Sequence, residues 1–114
     1  MIRMVEDDGI VKGKFPEGEY CYKLLKDEEM IGVASINKDN EDKVYIFIKK
    51  ELRGNGYGKF LFSEILKELN KKEYNDVIVK FEKENIQMLK IVKQNGGKHI
   101  STDKNIIRYV IPIA

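Results

Sequence analysis

Hydrophobic residues recur along the first half of the chain in short runs, separated by polar turns. Glu19 to Leu25, Met30 to Asn37 and Val44 to Ile48 are rich in β-branched and aromatic residues, which is typical of strands. Their short connections predict consecutive antiparallel neighbours. Ile2 to Val5 is a candidate first strand. Asp7 to Gly18 holds three glycines and a proline, so no stable helix is expected there.

The spacing of apolar residues changes after Gly58. They recur there every three or four positions, with charged residues between them. Leu61, Phe62, Ile65, Leu66 and Leu69 form this apolar face. The pattern predicts an amphipathic helix. Asp76 to Phe81 is a β-branched run far enough beyond the helix for a crossover, which would place it parallel to the preceding strand.

A second amphipathic helix is predicted after Asn85, a residue that can cap it, and Asn95-Gly96-Gly97 is a stop signal. Lys98 to Thr102 and Ile106 to Ile111 predict a closing hairpin. The chain is therefore expected to be a single α/β (α+β) domain over residues 1–114. Its sheet should be mixed, mostly antiparallel and flanked by two main helices.

The amino-acid composition limits the number of domains and the kinds of partner that the protein can have. The 114 residues suit one domain, with a core large enough to need no disulfides. Twenty-one basic against 19 acidic residues leave a net charge of +2, too small to imply a nucleic acid or a membrane surface as partner.

Cysteine and histidine content excludes two kinds of stabilising site. Cys21 is the single cysteine and His99 the single histidine, so neither a disulfide nor a structural zinc is expected. Cys21 is interpreted as a packing residue rather than an acyl-carrying nucleophile, and His99 as a surface or structural residue. Without a long apolar run or a signal-peptide pattern, the protein is expected to be soluble and cytoplasmic.

The segment with candidate chemistry is Arg53-Gly54-Asn55-Gly56-Tyr57-Gly58-Lys59, between a strand and a helix start. Such a turn presents backbone N–H groups at the positive end of a helix dipole, which suits phosphate oxygens. A P-loop would need glycine at Arg53 and Ser or Thr at Phe60, and a dinucleotide fingerprint would need glycine at Lys59 or Leu61. Both are excluded, and a tight turn without a ligand is the competing interpretation.

Arg53, Gly56 and Gly58 match the pattern Arg/Gln, two residues, Gly, one residue, Gly/Ala. The segment thereby resembles the acetyl-CoA binding motif of the GNAT superfamily of N-acetyltransferases. The resemblance covers Val44 to Gly97 and implies that loop amides hold the CoA pyrophosphate while the preceding strand faces the pantetheine and thioester. The implied cofactor-binding residues are Ile46, Phe47, Ile48, Arg53, Gly54, Asn55, Gly56, Tyr57, Gly58, Lys59 and Asn85.

The resemblance implies acetyl transfer from acetyl-CoA to a primary amine by direct attack in a ternary complex, without a metal. GNAT proteins usually carry one or two helices after the first strand, and Asp7 to Gly18 is too short for them. An open acceptor side would follow, which slightly favours a peptide or protein amine. The alternatives are a catalytically inactive acyl-CoA-binding module and an interaction domain completed by a partner. The chain could be a monomer or a homodimer.

The resemblance implies the catalytic residues less directly than the cofactor-binding residues. Asp42 stands where histone-modifying relatives have a glutamate base, with Glu41 beside it, although a solvated turn carboxylate is the competing interpretation. Many relatives place a tyrosine seven residues after the asparagine to protonate the thiolate, and here that residue is Val92. Tyr109 and Tyr45 are candidates for this protonation, with packing as their competing role.

Overall fold

A computed structural model describes residues 1–7, 9, 18–38 and 42–113, and only the backbone of residues 18, 19, 38 and 42. The described strands are β1 (Ile2–Glu6), β2 (Gly18–Lys26), β3 (Glu29–Lys38), β4 (Asp42–Ile48), β5 (Asp76–Glu82), β6 (Lys98–Asp103) and β7 (Ile106–Pro112). The helices are α1 (Tyr57–Lys71) and α2 (Ile86–Gln94), and a 3-10 turn covers Lys50–Leu52. The expectation of no helix between Asp7 and Gly18 concerns mostly residues outside this description.

The strands form one sheet in the order β1-β2-β3-β4-β5-β7-β6. The β4–β5 pair is parallel and the other neighbours are antiparallel. The predicted α+β class is confirmed, with its mixed, mostly antiparallel sheet and the crossover through α1.

Both predicted helices are present: α2 begins and ends at the predicted signals, whereas α1 begins at Tyr57, slightly before the predicted start after Gly58. Gly56, in the left-handed region at φ +82°, is the N-cap of α1. The Asn85 side chain caps α2 by accepting a hydrogen bond from the Met88 N–H at 3.0 Å. At the end of α2, Gly96 has φ +79° and the Gly97 N–H donates to the Val92 carbonyl at 2.8 Å.

Both helices pack on one face of the sheet. The buried cluster combines Leu61, Phe62, Ile65 and Leu69 of α1 and Met88, Ile91 and Val92 of α2 with alternate residues of the strands, such as Val44, Ile48, Val77, Val79, Phe81, Tyr109 and Ile111. Alternate strand residues share a face, so the remaining positions point away from the helices. No helix within the described ranges is long and apolar enough to cross a membrane.

The sheet opens between β4 and β5. These strands pair only at Lys43 with Ile78 and at Val44 with Val79. Among the described strands, residues 45–48 pair with β3 alone, whereas β5 continues against β7 as far as Glu82. The carboxyl ends of the two parallel strands therefore diverge, and one edge of β4 pairs with no described strand there.

Gly32 in β3 lies opposite Ile48 at the end of β4. A Cβ atom at Gly32 would lie 2.7 Å from Ile48 Cδ1 and 2.9 Å from the Phe47 carbonyl oxygen. Only glycine lets the two backbones approach this closely, so Gly32 sets the position of the β4 end at the opening.

Candidate functional site

A cleft of about 240 Å³ lies at this opening, between the end of β4, the glycine-rich loop and α2. It is lined by Ile46, Phe47, Ile48, Leu52, Arg53, Gly54, Gly56, Tyr57, Gly58, Lys59, Asn85, Gln87, Met88, Lys90, Ile91 and Gln94. The structure thus brings together the residues expected to bind the cofactor, apart from Asn55.

The glycine-rich loop presents backbone rather than side chains to the cleft. Gly54 and Gly56 have φ values of +87° and +82°, and a Cβ at either position would have no heavy atom within 4 Å. The Phe60 N–H donates to the Gly56 carbonyl at 3.1 Å, the first bond of α1. The preceding N–H groups have no acceptor within the helix, so they can bind an anion.

Asn55 has a structural role in this loop. Its Nδ2 donates to the Leu52 carbonyl at 3.0 Å, which ties the loop to the 3-10 turn. This contact explains why Asn55 is absent from the cleft lining while its neighbours face the cleft.

Arg53 bridges the loop and the open end of β4. Its Nε donates to the Ile48 carbonyl oxygen at 3.0 Å, and its guanidinium carbon lies 5.2 Å from the centre of the Phe47 ring. These two contacts orient the side chain, and the donors of its terminal nitrogens remain for a ligand in the cleft.

The cleft is cationic. Arg53, Lys59 and Lys90 line it, and none of the described lining residues is an aspartate or a glutamate. Nearby, Lys26 Nζ at the end of β2 donates to the Tyr57 hydroxyl at 2.8 Å, and this hydrogen bond raises the pKa of Lys26 above its ordinary value. Lys26 is therefore charged at neutral pH, and the surroundings suit a ligand with several negative charges.

Sequence reasoning missed the contribution of α2 beyond Asn85. Gln87, Lys90 and Gln94 also line the cleft. Their spacing of three and four residues places them along one stripe of a helix. Extending that stripe from the Asn85 cap would have found them.

Tyr109 lies in the core, away from the cleft lining. The tyrosine is buried in β7, with its ring 5.9 Å from that of Phe81 and 5.6 Å from that of His99 between centroids. Tyr45 is half-buried opposite Ser35, on the sheet face away from the helices. Val92 is fully buried in α2. None of the three lines the cleft, so the placement supports packing roles.

Asp42 begins β4 and pairs with Lys38, but its side chain and the whole of Glu41 are outside the described part of the chain. Along an extended strand, four residues separate the Cα atoms of Asp42 and Ile46 by roughly 13 Å. The role of Asp42 as a base stays a prediction.

The remaining candidate residues lie away from the cleft. Cys21 is half-buried in β2, opposite Ser35. His99 is exposed on β6, and its Nε2 lies 2.7 Å from the Thr102 hydroxyl. Among the described residues, no group of three His, Cys, Asp or Glu side chains could hold a metal ion.

The sequence also matches a family model, described as the acetyltransferase (GNAT) domain, over residues 5–90. The chain belongs to the GNAT acetyltransferase family. In this GNAT domain the matched span contains the divergent strands, the glycine-rich loop and the first half of α2. Comparison of the GNAT chain with curated proteins finds no match.

Solved structures share the complete GNAT fold at low identity. An acetyltransferase from Bacillus subtilis, in complex with CoA, is 15% identical with a TM-score of 0.81, covering 100% of both chains. The N-acetyltransferase PseH from Campylobacter jejuni, in complex with acetyl coenzyme A, is 19% identical with a TM-score of 0.73, covering 100% of both chains. The ribosomal-protein-S18-alanine N-acetyltransferase from Escherichia coli is 14% identical with a TM-score of 0.82, covering 100% of this chain and 95% of its own.

Proposed function

We propose that this GNAT protein transfers the acetyl group of acetyl-CoA to a primary amine, by direct attack in a ternary complex. The observation that carries the proposal is the cationic cleft at the divergence of β4 and β5, bordered by the first amides of α1. Acetyl-CoA supplies an activated thioester and several phosphate charges, and the residues of the cleft fit both. The CoA and acetyl-CoA complexes of the Bacillus and Campylobacter proteins, which share the fold, support the same assignment.

The phosphates are assigned to the loop side of the cleft. The N–H groups of residues 56–59 and the positive end of the α1 dipole would hold the pyrophosphate. Arg53, Lys59 and Lys90 add charge-assisted contacts. The absence of side chains at Gly54 and Gly56 lets the phosphate oxygens reach the amides.

The thioester is assigned to the open edge of β4. Backbone N–H groups near Ile46 to Ile48 would polarise its carbonyl where negative charge develops during attack. The pairing of Gly32 with Ile48 and the Arg53 hydrogen bond hold this edge in place. The transfer forms the amide N–C bond and breaks the thioester C–S bond, and the amine loses a proton.

The incoming amine must be neutral. With a pKa of about 10.4, an unperturbed lysine-type amine is deprotonated in only about one part in two thousand near pH 7. Asp42 is the candidate base, and its distance along β4 supports proton transfer through water rather than direct contact. The departing thiolate is a good leaving group, and the core position of Tyr109 favours departure without a side-chain acid.

The acceptor class is proposed as a peptide or protein amine. Neighbours of the same fold include a ribosomal-protein-S18-alanine N-acetyltransferase and a spermidine/spermine N-acetyltransferase from Vibrio cholerae, so the fold serves both large and small amines. The near-zero net charge supports neither nucleic acid nor membrane as partner.

The test combines binding with turnover. A ligand bound only by the native state stabilises it by RT ln(1 + [L]/Kd), about 2.7 kcal/mol at a hundredfold excess over Kd. Acetyl-CoA should therefore raise Tm by several degrees, whereas ATP and NAD should raise it much less. Thiol release should then appear with a panel of amines.

The controls separate the alternatives. Equal stabilisation by acetyl-CoA, ATP and NAD would reduce the cleft to a general anion site. Stabilisation by acetyl-CoA without thiol release from any amine would support the second candidate, an acyl-CoA-binding module that lacks turnover. Sedimentation with and without ligand distinguishes a monomer from a homodimer.

A further inference from the structure

A second cavity, of about 790 Å³, lies beside the β6–β7 hairpin. It is lined by Lys80, Asp103, Lys104, Asn105, Ile106 and Arg108. The Lys83 N–H donates to the Asn105 carbonyl at 2.7 Å, which ties the hairpin turn to the end of β5. We call this cavity the basic pocket.

The basic pocket lies on the sheet face opposite the helices, and one of its residues, Lys80, is next to the strand divergence. Val79 and Phe81 of β5 point into the helix-covered core, so Lys80 between them points to the other face. Arg108 pairs directly with Lys80 and shares that face. Val79 is the last β5 residue paired with β4, and Lys80 is the next one along the strand.

Basic residues outnumber acidic ones in the described lining of the basic pocket. Three lining residues are basic and one is acidic. Lys80 and Arg108 are cross-strand partners, whose Cβ atoms lie about 4.5–5.5 Å apart, and like charges in such a pair are destabilising. Across the described ranges, no carboxylate forms an ion pair with Lys80. The Lys80 ammonium can therefore contact a bound anion.

The basic pocket lies on the side of the sheet from which the amine acceptor would approach. If the cofactor occupies the helix side of the divergence, the amine has to reach the thioester from the other face of the sheet. On that face, Lys80 of the basic pocket lies beside the opening, and Arg108 is its partner on the next strand. A cationic polyamine would be repelled there, whereas a carboxylate on the acceptor would be attracted.

We propose that the basic pocket binds a carboxylate of the amine acceptor, so that this protein selects carboxylate-bearing amines. The inference rests on the proposed acetyl transfer and adds the substrate class. Lys80 and Arg108 hold the carboxylate between them, and Lys104 adds charge from the hairpin. An acidic side chain of a peptide and a free amino acid both present a carboxylate, and the experiment separates these two sources.

The experiment uses two peptides that differ only in charge, with either glutamates or glutamines beside the reacting amine, and free glutamate as a third acceptor. Binding is measured by calorimetry in the presence of CoA, and kcat/KM by thiol release with acetyl-CoA. The parent should bind the glutamate peptide at least tenfold more tightly at low salt, and kcat/KM should differ similarly. Salt should reduce the difference.

Lys80→Glu is the informative variant, because the new carboxylate would face Arg108 and form a favourable cross-strand pair. Its Tm should be no lower than that of the parent, and its preference for the glutamate peptide should disappear. Lys67→Glu is the matched control, since Lys67 is exposed on α1 and the change in net charge is the same. The control should keep the preference.

Equal binding of the two peptides by the parent, or the same loss of preference in both variants, would overturn the inference. Acetylation of uncharged amines would still stand in either case. If no amine is acetylated, the proposed function fails, and the binding difference alone decides the role of the basic pocket. Free glutamate binding as tightly as the peptide would support carboxylate recognition and assign a small acid as its source.

Discussion

At Gly56, the positive φ and the empty space around the residue both favour glycine over any residue with a side chain. The residue has φ +82°, and a Cβ there would meet no heavy atom of the protein within 4 Å. A side chain at this position would therefore enter the space assigned to the pyrophosphate. Gly96 has a similar φ of +79° and equally open surroundings, but it lies outside the cleft lining.

These two glycines allow a matched comparison. Gly56→Val and Gly96→Val carry the same conformational cost, because a β-branched residue disfavours the left-handed region. We expect Gly56→Val to remain folded by circular dichroism and to lose the rise in Tm caused by acetyl-CoA. Gly96→Val should keep that rise. Full retention of the rise in Gly56→Val would mean that the phosphates bind elsewhere.

Asp42 gives the second prediction at this scale. A carboxylate that takes the amine proton directly contributes about a hundredfold to ten-thousandfold to kcat/KM. Because Asp42 begins β4, roughly 13 Å from Ile46 between Cα atoms, we expect Asp42→Asn to lower kcat/KM by less than tenfold at every pH. Glu41→Gln serves as the neighbouring control.

A larger loss in Asp42→Asn would identify a side-chain base. In that case the difference from the parent should narrow as pH rises toward the pKa of the acceptor, since the amine then loses its proton without help. The affinity for acetyl-CoA should be unchanged in either case.

Residues of the cleft could be predicted from the sequence where their chemistry is local. The glycine-rich loop and the Asn85 cap are set by short spacing, and the structure places them where the pattern indicates. The contact between Lys26 and Tyr57 joins residues 31 positions apart. Such a contact depends on which strand end meets the helix, and no local pattern records that.

At the scale of elements, the divergence of β4 and β5 depends on backbone contacts that a side chain would disturb. Gly32→Ala would place its Cβ 2.9 Å from the Phe47 carbonyl oxygen and 2.7 Å from Ile48 Cδ1. We expect a loss of about 1–3 kcal/mol in unfolding free energy, as for other overpacked sites, and weaker acetyl-CoA binding. Thermal denaturation with and without acetyl-CoA measures both effects.

Gly58→Ala is the control for Gly32→Ala. A Cβ at Gly58 would meet Ile48 Cγ1 and Ile91 Cδ1 at 3.8 Å, an ordinary contact distance, and alanine is the better helix former. This variant should be at least as stable as the parent. A parent-like Tm in Gly32→Ala would show that β4 can shift without cost.

The strands and helices could be predicted from the spacing of hydrophobic residues. Their predicted bounds agree with the structure within two residues, because turns and caps are encoded locally. The position of β7 between β5 and β6 did not follow, since strand order depends on long-range pairing. The 3-10 turn at Lys50–Leu52 was missed for a different reason, because three residues are too few to show a period. The opening between β4 and β5 depends on the same long-range pairing, so no local pattern in the sequence records it.

At the scale of the whole molecule, the cleft and the basic pocket lie on opposite faces of one sheet, and no described residue lines both. In the proposed function the cleft binds the cofactor and the basic pocket binds a group of the acceptor, so both can be bound at the same time. Cys21, the single cysteine, lies in β2 outside both cavities, so no thiol is placed to carry the acetyl group between two half-reactions.

Steady-state kinetics should therefore show a sequential mechanism. Double-reciprocal plots at several fixed acetyl-CoA concentrations should intersect, and Cys21→Ala should keep kcat/KM within about twofold of the parent, as expected for a residue that touches neither substrate. Parallel lines, or an acetylated protein trapped without acceptor, would indicate a covalent intermediate instead. Because the Cys21→Ala variant has no other thiol, parallel lines that persist in it would locate the acyl carrier on a hydroxyl or an amine.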